Sequence, residues 1–278
     1  MVYRYKDGKL QEKSTLWESL NLPFRKHMVI SLVGGGGKTT SMYRLADELK
    51  EMGKRVIVTT STHIQHPADR MVVLADCAVN VGKWIAEKLD FEENGSVQCL
   101  EQSGNLTTGW VLVTGIPVTA TENESGMRKL KGMTEDKLAG LAGLADVLLI
   151  EADGAKRLPF KIPRDGEPVL IKETDAVIGC MGLDCIGETF EDKCFRKELA
   201  EELLTESGLW QGLAEPITPA CAAAVLSSEK GTRKSVGNRE YRILLNKADV
   251  ESGVLKALAI IEHLEPELQG KCVVAGLF

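Results

Sequence analysis

The amino-acid sequence predicts an α/β fold, a mostly parallel sheet flanked by helices on both faces. Three observations predict it. Apolar runs of strand length alternate along the chain with segments of helical period. Those runs are nearly continuous in Val, Ile and Leu, as strands buried on both faces are. Four consecutive glycines join the first run of the main body to its first long helical segment.

Residues 1–27 are studded with Arg, Lys, Asp and Glu and read as an N-terminal appendage. Within them Thr15 and Glu18 fit a capping box, and Leu16, Trp17 and Leu20 form a short apolar face. Residues 28–278 read as a single domain. Residues 28–33 are its first strand. The four glycines and Lys38-Thr39-Thr40 follow, and residues 41–52 are helical, with Met42, Leu45, Ala46 and Leu49 on one face. Gly53 ends that helix. Strands are expected at 55–62, 71–75 and 110–114, with a helix at 79–89. Residues 115–132, polar and containing Arg128, Lys129 and Lys131, read as a loop. Thr134 caps a helix whose first turn holds Glu135 and Asp136, favourable for its dipole. Further strands fall at 146–150, 176–181, 242–245 and 272–275. Thr218-Pro219 opens one helix with a cap and a first-turn proline, and residues 254–264 form another. Residues 158–168, with their prolines and glycine, read as a surface excursion.

The composition narrows the function. The 278 residues carry 34 Lys and Arg against 40 Asp and Glu, a net charge of -6, which disfavours a broad nucleic-acid surface. Aromatic residues are 5%, too few for a base-stacking platform. No apolar run approaches the roughly 18 residues of a membrane span, and residues 1–27 contain no apolar signal stretch. A cytoplasmic protein without nucleic-acid or membrane partners is expected. The seven cysteines then read as free thiols, and Cys180, Cys185 and Cys194 lack the spacing of a zinc site.

The strongest chemical signal is Val33-Gly34-Gly35-Gly36-Gly37-Lys38-Thr39-Thr40, between a strand and a helix. Glycines let successive N–H groups turn toward one anion, and the helix N-terminus adds partial positive charge. Lys38 can reach the β- and γ-phosphates of a nucleotide, and the Thr39 hydroxyl can ligate Mg²⁺. Leu32 stands where the longer G-x-x-x-x-G-K-[ST] pattern needs glycine, so the loop fits the shorter G-x-x-G-K-T form, or that of MinD-like NTPases with Val33 at their signature lysine. The second signal is Glu151-Ala152-Asp153-Gly154, closing an apolar strand. Glu151 suits the metal side, Asp153 can orient water, and the Gly154 N–H can reach a γ-phosphate. The third is Asn246-Lys247-Ala248-Asp249 after a strand, the N-x-x-D spacing with lysine that reads guanine. These three signals together predict a P-loop NTPase-like domain with Lys38 and Asp153 as catalytic candidates and Mg²⁺ with GTP or ATP as cofactors. Weaker candidates are the hydroxyl-rich strand end Thr59-Thr60-Ser61-Thr62-His63 and the cations Lys156, Arg157, Lys161 and Arg164, which suit an anionic substrate.

The glycine loop, Val58-Thr59-Thr60-Ser61-Thr62, Ile150-Glu151-Ala152-Asp153-Gly154-Ala155-Lys156, Glu167-Pro168-Val169, Ile217-Thr218-Pro219 and Leu244 to Asp249 together resemble the YqeC family. That family is described as selenium cofactor biosynthesis proteins or selenium-dependent hydroxylase accessory proteins. The resemblance implies a role in maturing molybdenum hydroxylases that carry a labile selenium atom, with such a hydroxylase or other maturation proteins as partners. Two other readings fit the same loop: an ATP-dependent ligase or kinase acting on a small molecule, and a non-hydrolysing, nucleotide-gated cofactor carrier or scaffold.

Overall fold

The computed structural model of the chain describes residues 1–93, 109–118 and 129–276. In chain order the strands are β1 (Val2–Lys6), β2 (Lys9–Lys13), β3 (Met28–Gly34), β4 (Arg55–Thr60), β5 (His63–Gln65), β6 (Val72–Leu74), β7 (Trp110–Pro117), β8 (Lys129–Lys131), β9 (Val147–Glu151), β10 (Phe160–Lys161), β11 (Ala176–Gly182), β12 (Cys194–Phe195), β13 (Glu240–Asn246) and β14 (Cys272–Ala275). The helices are α1 (Leu16–Leu20), α2 (Lys38–Glu51), α3 (Ala78–Glu93), α4 (Glu135–Ala139), α5 (Phe190–Lys193), α6 (Lys197–Glu206), α7 (Pro219–Ser227), α8 (Glu251–Glu262) and α9 (Pro266–Gln269).

The expected α/β architecture is present. The main sheet runs β2-β1-β14-β13-β11-β3-β9-β4-β7-β8-β5, with β6 pairing to β7. From β14 to β7 every pairing is parallel, while β1, β2, β5 and β8 add antiparallel margins. The central strands alternate between two cores. In β3, Val29 and Val33 face one apolar cluster while Met28, Ile30 and Leu32 face the other. In β9, Leu148 and Ile150 are opposed to Val147 and Leu149 in the same way. The period-2 alternation of side chains makes a continuous apolar run serve both layers. Helices α1 and α2 cover one face through Leu16, Trp17, Leu20, Met42, Leu45 and Leu49. The other face carries residues of α4 to α8, among them Leu138, Phe190, Leu203, Val225 and Ile260.

Residues 1–27 are joined to this sheet. Strands β1 and β2 form a hairpin over Asp7 and Gly8, both at positive φ (52° and 77°), and β1 pairs antiparallel with β14. Asp-Gly is the favoured tip of such a two-residue turn. Thr15 caps α1 through the Glu18 amide, and the open Leu16 and Trp17 amides donate to the Glu48 carboxylate of α2 at 3.0 and 2.8 Å.

Two expectations need correction. Residues 115–132 contain two strand segments: β7 runs on to Pro117, and Lys129–Lys131 is the antiparallel strand β8; residues 119–128, with Arg128, lie outside the described residues. Residues 158–168 are largely interior. Phe160, Lys161 and Ile162 are buried, and β10 pairs with β12 in a small second sheet. The apolar pair Phe160 and Ile162 draws the intervening lysine inside, where it finds two carboxylates.

Candidate functional site

Strand order positions the site. The chain leaves β3 through α2 to β4, returns to β9 beside β3, then crosses to β11 on the other side of β3. Ligands of open α/β sheets sit at the carboxyl ends of the strands where order reverses in this way. The glycine loop lies there. Gly34, Gly36 and Gly37 have φ of 91°, 71° and 113°, a conformation in which a Cβ is strained. A side chain at Gly36 would also strike the backbone of Gly182 at the end of β11. Gly37 leads directly into α2, so Lys38 and Thr39 open a helix of 14 residues.

Lys38 is buried and faces the acidic end of β9. Its ammonium donates to the Gly34 carbonyl at 2.5 Å and lies 3.1 Å from Asp153 and 3.9 Å from Glu151. Burial alone would lower its pKa; the carboxylates of Asp153 and Glu151 outweigh that and hold it above the ordinary lysine value. Thr39 donates its hydroxyl to Glu151 at 2.5 Å. Burial pushes Glu151 up, against the pull of Lys38 and the Thr39 hydrogen bond. Asp153 also accepts the Gly34 N–H at 3.0 Å. Thr60 donates to the Glu151 carbonyl at 3.0 Å and so ties the end of β4 to β9.

Beyond Asp153 an alternating chain of charges runs from the interior toward the surface. Lys161 lies 2.6 Å from Asp153 and 2.8 Å from Glu167, and Arg196 grips Glu167 with two hydrogen bonds of 2.6 and 2.9 Å. Burial lowers the Lys161 pKa, only partly offset by its two carboxylates. Glu167 is held down at about 2, because Arg196 and Lys161 outweigh the cost of its burial. Lys161, Glu167 and Arg196 were not legible as one unit, since they come from separate turns and a two-residue strand. The available signal was Pro159-Phe160-Lys161-Ile162-Pro163, a lone charge between apolar neighbours and bounded by prolines.

The N–H groups of the first three loop glycines are already in use, Gly34 on Asp153. The Gly35 N–H donates to the Cys180 carbonyl at 3.0 Å and the Gly36 N–H to the Leu158 carbonyl at 3.2 Å. The Gly182 N–H donates to the neighbouring Pro159 carbonyl at 3.2 Å. Residues 155–159 therefore form a strap over the glycines. Cys180 lies under the loop with its thiol pushed up to about 12 by burial, so it supplies no thiolate there.

The third motif is brought to the same end of the sheet and divides its labour. Asn246 is buried, donates to the Gly36 carbonyl at 3.1 Å and accepts from Ser41 at 3.3 Å, bracing the loop. Lys247, in the left-handed region at φ 68°, pairs with Asp184 at 2.7 Å. Asp249 is exposed and lies against Gly276, just past β14. Gly154 lies on the β4 side, toward the Thr62 hydroxyl. Thr40 is exposed on the first turn of α2. Of the weaker cations, Lys156 and Arg157 are exposed on the strap and Arg164 reaches Glu167 from the surface at 3.5 Å. The six cysteines among the described residues are free thiols.

The family described as YqeC protein matches residues 30–198. The chain belongs to the YqeC family. The matched stretch encloses the glycine loop, Glu151, Asp153 and the Lys161–Glu167–Arg196 network, and leaves Asn246 to Asp249 outside. An Escherichia coli (strain K12) relative, "Uncharacterized protein YqeC", is 29% identical over 167 residues, 59% of this chain and 55% of the relative. The "Cell division protein FtsY homolog, chloroplastic" of Arabidopsis thaliana is 29% identical over 172 residues, 50% of this chain and 46% of that protein. The chain thus spans about half the length of the curated relatives it matches. No solved structure matches it. YqeC membership and the likeness to the FtsY homolog are compatible with a nucleotide-binding role. Among the described residues no helix is long and apolar enough to cross a membrane.

Proposed function

We propose that this YqeC protein binds a Mg²⁺–nucleoside triphosphate, GTP or ATP, on the loop from Gly34 to Thr40 and hydrolyses it. The work would serve maturation of selenium-dependent molybdenum hydroxylases, the role its family resemblance implies. One observation carries the nucleotide reading. Lys38 and Thr39 open α2 directly against Glu151 and Asp153 at the end of the neighbouring parallel strand.

The donors fit the ligands. Two loop groups that a phosphate would use are held by oxygens: Gly36 N–H by the Leu158 carbonyl, and Lys38 by the Gly34 carbonyl and Asp153. A phosphate oxygen can replace any of these without leaving a donor unpaired. The Thr39 hydroxyl and the Glu151 carboxylate are adjacent hard oxygen donors, the set Mg²⁺ takes, and they would hold it. The metal would neutralise charge on the phosphate oxygens. Lys38 would move to the phosphates, which frees the Asp153 oxygen facing it to accept a proton from attacking water. The Gly154 N–H would meet the γ-phosphate from the β4 side. Asn246 would keep the loop in shape, with Lys247 and Asp249 at the base; the Asn-Lys-Ala-Asp spacing favours guanine.

Thermal unfolding with Mg·GTP and with Mg·ATP tests this. At a hundredfold excess over Kd, binding adds about 2.7 kcal/mol of stability. Lys38→Ala is expected to abolish the shift and phosphate release. An unchanged shift in that variant would overturn the reading, and a larger shift with ATP would overturn the guanine preference. Phosphate release separates hydrolysis from a gated carrier, which binds without turnover. Loss of selenium-dependent molybdenum hydroxylase activity in cells lacking the protein, restored by the wild type and not by Lys38→Ala, tests the pathway assignment.

A further inference from the structure

Asp153 sits between two ammonium groups. One oxygen lies 3.1 Å from Lys38, and the other lies 2.6 Å from Lys161 and accepts the Gly34 N–H at 3.0 Å. All three side chains are buried. A second lysine in that position is costly to bury, and Lys38 alone would already pair Asp153. Lys161 is itself anchored on its far side by Glu167, which Arg196 clamps with two hydrogen bonds. The arrangement therefore keeps a cation on Asp153 that does not depend on Lys38.

Resting on the nucleotide reading above, we propose that Lys161 is a positioning residue that holds Asp153 so that Lys38 can leave for the phosphates. When Lys38 moves, its ion pair with Asp153 breaks. Without Lys161 the departure would strand a buried carboxylate, and Asp153 would hold Lys38 back. With Lys161 in place, the Asp153 oxygen it shares with the Gly34 N–H stays fixed. The loop keeps its shape, and only the oxygen facing Lys38 becomes available. Lys161 itself touches no phosphate in this account.

The test is titration of Mg·GTP and Mg·ATP into the whole chain, with calorimetric affinity as the readout. Four proteins are compared: wild type, Lys161→Met, Asp153→Asn and the double variant, each checked for a cooperative melt. Lys161→Met leaves Asp153 with Lys38 and Glu167 with Arg196 and Arg164, and is expected to weaken binding at least tenfold. The double variant removes the trap, so its affinity should return to within about threefold of Asp153→Asn. A merely structural role would not give that rescue. Binding by Lys161→Met within twofold of wild type, or a double variant as weak as Lys161→Met, would overturn the inference while leaving the nucleotide reading intact. Should Lys161→Met fail to fold, Lys161→Gln decides: it keeps a hydrogen bond to Asp153 without the charge and should weaken binding at least tenfold, and binding within twofold of wild type overturns the inference. No binding by the wild type would overturn both.

Discussion

Glu167 shows how single residues set the acid limit of this protein. Its carboxyl is held at about 2 in the folded chain, against an ordinary value of 4.5, by Arg196 and Lys161 working against burial. A depressed carboxyl stabilises the fold fully above its unfolded pKa, and the gain is lost as pH falls from about 4.5 toward 2. Asp146, held at about 2 by Arg55 against an ordinary value of 3.8, acts in the lower part of that window. Glu167→Gln should therefore cost about 2–3 kcal/mol at neutral pH and flatten, without abolishing, the fall in stability below pH 4.5. Denaturant melts from pH 7 to 3 check this, and equal slopes for both proteins would refute it. At this scale the site was legible where chemistry is local in sequence. Gly34 to Thr40 lie on one turn between a strand and a helix, and Glu151 and Asp153 close one strand. Lys161 was legible only as a candidate cation for an anionic substrate; its link to Arg196 was not, because what makes them partners is the pairing of β10 with β12, two residues each, which leaves no periodic trace.

On the proposed function, the strap of residues 155–159 is the element a nucleotide would have to displace. Lys156 and Arg157 follow the acidic strand end with φ of 48° and 65°, two successive non-glycine residues in the left-handed region. Each costs roughly 1–2 kcal/mol there. The Leu158 carbonyl on Gly36 and the Pro159 carbonyl on Gly182 hold them in it. Withdrawal of Leu158 by an incoming phosphate would release that strain. Arg157→Gly removes part of it from the closed state, so it should raise stability by about 1 kcal/mol and weaken Mg·nucleotide binding severalfold. Paired unfolding and titration measurements test this; unchanged affinity would mean that the strap does not move. Element by element, β3, α2, β9, β11 and β13 were legible because both their faces or one full helical stripe are apolar. The hairpin of β1 and β2 was not, since Arg4, Lys6, Lys9, Glu12 and Lys13 mask its pattern and only Asp7-Gly8 marks the turn.

Across the whole molecule, residues 1–27 contribute to the same layers as the site. Leu16, Trp17 and Leu20 share a core with Met42 and Leu45 of α2, and Arg242 donates to the Leu20 carbonyl at 2.6 Å. Deleting residues 1–27 uncovers this apolar surface and leaves β14 without its antiparallel neighbour. The truncated protein should melt lower by several degrees, and Mg·nucleotide binding should weaken with it as the α2 face loosens. A melt equal to that of the full chain would show instead that residues 28–278 stand alone. The pairing of β1 with β14 also has a bearing on biogenesis. During synthesis the glycine turn emerges early, while Asn246, which braces it, and β14, which completes β1, emerge late. A ribosome-bound nascent chain would thus carry an unmatched hairpin edge and an unbraced glycine loop until residues 246–275 have emerged. On the proposed function, the loop reaches its braced form only after that segment has joined the sheet.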